Sequence, residues 1–284
     1  MSTNTESSVV NSGAASVVGM GSVAGLLALS LLAVQLGRTK IVVIAWVAFV
    51  AMAGGALVGA RTESRHATRL VWGYGLASGA MITSAAVFLV PQAINQAATL
   101  GGFGIALGVL VGYNGHTIGH RLSHLDLPMN TTASALAAHA LSAGVVIGVI
   151  YGAMPELGLL LGLAIVSHKG PAGYAAARRS RLAGDAVAPI LLPAAGVGLT
   201  GIPMALVAVP LSASVNAVVF GFAAGVFLHV AMDFLPSCEV GGEIDDVAGV
   251  SEDSHSLLDR LRVHALASTS IGGVVVFLAW LAIA

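Results

Sequence analysis

From Ile41 to Ala60 the chain runs for twenty residues without a single charge, and stretches of this kind recur along its whole length. A helix of about 20 apolar residues spans a hydrocarbon core of roughly 30 Å, and inside that core every backbone amide must find its partner within the fold. The stretches are too continuous for the alternating pattern of a barrel strand. Only 9% of residues are charged and 57% are hydrophobic, whereas soluble domains carry about a quarter of their residues charged. These features define an all-α, polytopic integral membrane protein whose solvent over most of its surface is lipid.

Charged or turn-rich points cut the chain into nine apolar segments: Ala14 to Gly37, Ile41 to Ala60, Leu70 to Ile94, Leu100 to Gly119, Thr131 to Gly152, Pro155 to Ala177, Val187 to Val209, Ala213 to Leu235 and Val263 to Ala284. Pro189, Pro193 and Pro203 are expected to kink or break the seventh. No soluble domain is left over, so residues 1–284 form one transmembrane domain. A net charge of −1 with no basic cluster excludes nucleic acid as a partner. A single cysteine, Cys238, excludes an intramolecular disulfide and a thiolate metal cluster. Residues 1–13 carry Glu6 and no lysine or arginine, so the first segment reads as a retained helix rather than a signal peptide.

Basic residues in short loops favour the cytoplasm. Arg61, Arg65 and Arg69 lie on one side, Arg121 returns to that side, and Arg178, Arg179 and Arg181 do so again. Loops around Asn95, Glu156 and Leu211 alternate with them and carry no basic residue. The expected topology is an amino terminus inside and a carboxyl terminus outside a cell membrane, with Arg38 and Lys40 running against the rule. Gly144, Gly148 and Gly152 recur every four residues, as do Gly108 and Gly112, making flat stripes for close helix approach. No internal sequence repeat is visible.

Polar residues within the apolar segments are the candidates for function. His139 lies about 12 Å and His168 about 14 Å from the basic face at 1.5 Å per residue, so two neighbouring helices carry histidines at one depth. Pro171 leaves the carbonyl of Ser167 without its helical donor beside His168, and irregular backbone at that depth lines a cavity or packs on protein. Lys169, one of two lysines in the chain, sits in the same turn, and no carboxylate within the same helix can pair with it. His229 and Asp233 are one turn apart and suit a divalent cation or a proton. His116, His120 and His124 recur every four residues at the end of the fourth segment and offer a metal-collecting face. Each of these groups can equally be a satisfied packing or interfacial feature.

With "HALSAG" at His139 and "HKGPAG" at His168, the chain resembles the ZIP (Zrt/Irt-like) family of divalent-metal transporters, whose consecutive helices carry motifs of the form HNxxDG and HNxPEG. "GYGLASGAMITSAAVFLVPQA" is similar to that family's second helix and "VFGFAAGVFLHVAMDFLPS" to its seventh. The resemblance implies a ZIP-like core of eight helices over residues 41–284, an extra helix in residues 1–40, and an acidic cytoplasmic loop at about 236–262. It implies alternating-access transport of a divalent ion such as zinc, manganese, iron or cobalt, with no prosthetic group and no enzymatic activity. His139, His168, His229 and Asp233 would be metal ligands, with His116, His120 and His124 feeding the pore; Ser142, Lys169, Pro171 and Gln92 would line the pathway. The lipid bilayer and the ion are the implied partners, and a homodimer is left open.

The sequence departs from the family pattern where the metal belongs. The asparagine and carboxylate positions of the first motif hold Ala140 and Ala143, and the second motif holds Lys169 and Ala172. Gln92 and Ala194 stand where glutamates are common, and Asp233 alone keeps an acid. An ammonium beside a divalent ion repels it by several kcal/mol at about the low dielectric of a protein interior, so Lys169 is expected to replace a second metal. The alternatives are a degenerate relative that moves another solute or senses a ligand, and an intramembrane metal hydrolase, which the absence of an HExxH motif disfavours.

Overall fold

The computed structural model describes residues 3–62, 67–122, 131–153, 158–207, 212–238, 244 and 254–283. Its elements are α1 (Thr3–Gln35), α2 (Thr39–Arg61), α3 (Ala67–Ser84), a π-helical turn (Ala85–Leu89), α4 (Val90–Gln96), α5 (Ala98–Leu122), α6 (Thr131–Ala153), α7 (Gly158–Ala183), a 3₁₀ turn (Ala188–Ile190), α8 (Leu191–Val207), α9 (Ala213–Asp233) and α10 (Ser254–Ile283). No strand occurs among the described residues. Six helical spans are long and apolar enough to cross a membrane: Gly13–Gln35, Thr39–Arg61, Ala67–Gln96, Ala188–Val207, Ala213–Asp233 and Ser256–Ala282. The chain is therefore a helical membrane protein.

Helix ends follow local chemistry. Gly37 (φ 73°) and Gly184 (φ 80°) take the left-handed conformation that ends α1 and α7. After α1, Arg38 N–H donates to Ala33 O (2.8 Å) and Gly37 N–H to Val34 O (3.0 Å). After α7, Asp185 N–H donates to Ser180 O (2.8 Å) and Gly184 N–H to Arg181 O (3.2 Å). Both pairs form the Schellman pattern, which satisfies the last helical carbonyls. Ser212 caps α9 by accepting from Val215 N–H at 3.4 Å.

Three expectations change in detail. The segment from Leu70 to Ile94 is interrupted by the π turn, across which Val90 N–H reaches back to Ala85 O. Pro91, with no N–H of its own, follows directly. The seventh segment is not broken: Pro189 falls in the 3₁₀ turn and Pro193 in the first turn of α8, where a missing N–H costs nothing. Only Pro203 lies inside, and the helix continues to Val207. The region assigned to an acidic loop becomes helical from Ser254 onwards.

Long-range packing pairs the helices. α2 lies along α7, α6 along α8, α3 along α10 and α5 along α9, while α1 covers α8. Glycines mark the seams: a Cβ on Gly104 or Gly108 would strike the α9 backbone, and one on Gly144 or Gly148 would strike α8. The order of these contacts makes each pair parallel. Exchanging α2 with α8, α3 with α9, α5 with α10 and α6 with α7 reproduces the same pairings. The exchanged helices run in opposite directions: Tyr74 meets Phe234, Ser78 Oγ donates to Ala231 O (2.8 Å), and Phe88 meets Phe220 along the α3–α9 seam. The fold thus contains an inverted-topology arrangement that the sequence does not display, with α6 and α7 between its halves.

Candidate functional site

α6 and α7 bring His139 and His168 together. Their ring centroids are 5.9 Å apart in an edge-on arrangement, and both side chains are buried, at 7% and 2% exposure. Phe227 of α9 stacks edge-on against both, with centroids 5.8 Å from His139 and 5.3 Å from His168. The three rings form one cluster at the junction of α6, α7 and α9. Both ring nitrogens of His139 are buried without a hydrogen-bond partner. One of them necessarily bears a proton or stands ready for a ligand, so this imidazole is a polar group held in reserve.

Lys169, the next residue on α7, is 1% exposed and heads the largest fully buried side chains. Its Nζ lies 4.0 Å from Met52 Sδ on α2, a weak acceptor. Among the described residues no carboxylate lies within ion-pair distance of it. α7 continues as a helix through Pro171, so the proline removes one backbone bond without ending the helix.

A narrow cleft opens beside Phe227, lined by Ser142, Ala143, Val146, Ile147 and the π-turn residue Leu89. Its volume of about 20 Å³ admits roughly one water molecule. Ser142 is half-buried at its edge, and its hydroxyl bonds back to Ala138 O (2.8 Å) and His139 O (3.0 Å). Ser84, the residue before the π turn, is buried with an unpaired Oγ. A π turn beside a cleft is a frequent mark of functional sites.

The remaining sequence candidates lie elsewhere. His229 Nε2 meets Asp233 Oδ2 at 3.3 Å, with Asp233 half-exposed at the end of α9. His229 turns towards α5, where the absence of a side chain on Gly112 makes room for its ring. The parallel register of α5 and α9 brings the α5 backbone at His116, one turn past Gly112, to the level of Asp233. The side chains of His116 and His120 lie outside the described residues, as does the whole of His124. Gln92 is on α4, which packs on α5 and α9 rather than on α6 or α7. Among the described residues no three of His, Cys, Asp and Glu gather into a metal-binding group.

The residues that sequence reasoning missed are Phe227, Met52, Ser84 and the π turn. Pro91 was a usable signal for the last, because a proline inside an apolar helix demands a local rearrangement. Phe227 and Met52 carry no such mark. No protein-family description matches the chain, and no curated protein matches it.

Proposed function

We propose that this protein is a ZIP-like secondary transporter that moves a divalent metal ion by alternating access across a cell membrane. In this reading all nine apolar segments cross the bilayer, eight as the core and α1 as an addition. The amino terminus and the basic ends of α2, α3 and α7 face the cytoplasm, and the carboxyl terminus faces outward.

The observation that carries the reading is the His139–His168 pair, built where α6 and α7 meet between two inverted halves. Substrate sites of many transporters lie at that junction, near the bilayer midplane. Two imidazoles bound to one zinc at about 2.1 Å, with each ring centroid about 1.1 Å behind its nitrogen, have centroids roughly 5 to 6 Å apart. The observed 5.9 Å lies at the upper end of that span. Two neutral imidazoles with no carboxylate hold a divalent ion weakly and leave its charge unbalanced, which suits passage better than storage. Movement of Phe227 off the two rings opens the site to the cleft by Ser142. His229 with Asp233 then offers a second polar station at the basic end.

Lys169 favours a second reading, in which the site accepts a small anion instead. The Lys169 amine and the His139 ring offer donors, and among the described residues no carboxylate lies within ion-pair distance of the amine. Uptake by proteoliposomes discriminates the two. Stimulation by zinc, manganese, iron or cobalt that disappears in His139→Phe supports metal transport. Flux of small anions without metal uptake supports the second reading, and no flux of either overturns transport. The triple substitution Lys169→Asn, Ala143→Asp and Ala172→Glu restores the family's ligand types. Calorimetry on a folded triple variant that binds zinc no better than the parent refutes Lys169 as the stand-in for a metal.

A further inference from the structure

A second cavity lies outside the histidine cluster, on the surface between α2 and α3. These two helices follow one another in sequence and each packs on α7, yet neither packs substantially on the other. The gap between them is an open groove of about 500 Å³. Its floor is Gly55, Gly73, Gly170 and Pro171, residues with little or no side chain. Space above Gly170 is free: a Cβ there would meet only Ala51 O, at 3.6 Å.

The groove has two chemically distinct ends. Thr62, Thr68 and Arg69 line one end; Gly55, Val58, Leu76, Gly170 and Pro171 line the other. From Thr62 to Gly55 and from Thr68 to Leu76 the wall rises about 10 to 12 Å at the helical rise per residue. Trp72 stands at intermediate height, its indole N–H donating to His264 Nδ1 at 3.3 Å. The polar end belongs to the end of the bundle that carries Arg61, Arg178, Arg179 and Arg181, because α2 and α7 run parallel and α3 starts beside the end of α7. Among the described residues that line the groove none is acidic.

We propose that this groove binds a glycerophospholipid with an anionic headgroup, taken from the leaflet at the basic end. The phosphate sits at Arg69 and the threonines, the glycerol backbone lies at the level of Trp72, and an acyl chain runs over Gly170 and Pro171. Charge complementarity selects this occupant over a zwitterionic lipid, since each basic residue near the surface attracts anionic lipid by a factor of about five. The segregation of one polar end from a strip of apolar and glycine floor matches an amphiphile and does not match a soluble anion. The site does not depend on what the transporter carries. It has a consequence for it, however: the acyl chain braces Gly170 and Pro171, directly after Lys169, and so supports the turn that holds His168.

Trp72 provides the test. In the full-length chain with Trp46→Phe and Trp280→Phe, Trp72 is the single fluorophore, and vesicles containing brominated phosphatidylglycerol or brominated phosphatidylcholine quench it by contact. Half-maximal quenching by the phosphatidylglycerol is expected at about a fivefold lower mole fraction than by the phosphatidylcholine. Arg69→Gln should merge the two curves, and Val58→Phe, at a position 59% exposed, should weaken quenching by both. Native mass spectrometry of the unsubstituted chain gives the parallel measurement, with phosphatidylglycerol retained after delipidation and lost in Arg69→Gln. Coincident curves in the parent, or a preference that survives Arg69→Gln in either experiment, overturn the proposal and leave an ordinary lipid-facing surface.

Discussion

Replacing Lys169 by methionine should make the protein more stable. The side chain is 1% exposed, so its whole length is packed. The amine contacts Met52 Sδ at 4.0 Å and has no carboxylate partner among the described residues. On insertion scales a lysine at the centre of a membrane helix costs about 2.5 to 3.5 kcal/mol, and here no ion pair offsets that cost. Methionine keeps most of the volume and flexibility of the lysine stem while removing the charge. Lys169→Met is therefore expected to raise the unfolding free energy by roughly 2 kcal/mol, the shortfall reflecting partial hydration of the lysine in the unfolded membrane-bound state. Lys169→Ala separates charge from packing, because it removes the amine and leaves a cavity costing about 2 to 4 kcal/mol, so it should end near or below the parent. The assay is reversible unfolding in mixed micelles, followed by the near-ultraviolet signal of the tryptophans. A Lys169→Met variant less stable than the parent by more than about 1 kcal/mol refutes the reasoning, because truncating one partner of a buried ion pair is what produces a loss of that kind.

His139→Phe should fold with a stability within about 1 kcal/mol of the parent or above it, since both ring nitrogens are unpaired and the new ring still packs on Phe227; a large loss in the same assay would show a hidden partner. Gly108→Val should destabilise by about 1 to 3 kcal/mol or prevent assembly, because its Cβ meets the α9 backbone, whereas Gly102→Val has open space and should be close to neutral. Burial raises the Cys238 thiol above the ordinary thiol range, with Arg262 opposing the shift, so the neutral form dominates at pH 7 and maleimide labelling should accelerate as pH rises towards and beyond that range. Labelling at the full rate of a small thiol at pH 7 would contradict it. Reporter fusions after Ala284 should be active only outside the cell and fusions in the turn at Gly184 only inside; the reverse pattern at either place removes the proposed topology.

The transmembrane segments were legible because a hydrocarbon solvent imposes one rule on the backbone, and Ile41 to Ala60 or Ala213 to Leu235 can satisfy it only as helix. The common level of His139 and His168, seen in their ring contact, was legible for a related reason: rise per residue converts sequence distance into height, and two adjacent segments give two heights that can be compared. What periodicity does not give is the partner of each face. The Gly108 and Gly144 stripes announced close approach, yet only backbone complementarity decides that one receives α9 and the other α8. In water, an apolar stripe against a polar face would show which side of a helix turns inward, but in lipid both faces are apolar and no such contrast exists. Phe227 illustrates the consequence, since as one of many apolar residues on α9 it carries no sequence signal, and only the crossing of α6, α7 and α9 turns it into the cover of both histidines. Lys169 illustrates the converse. Its burial was readable from its neighbours on α7, but the contact to its Nζ comes from Met52 on α2, and it is the parallel packing of α2 on α7 that leaves the ammonium facing a thioether instead of an acid.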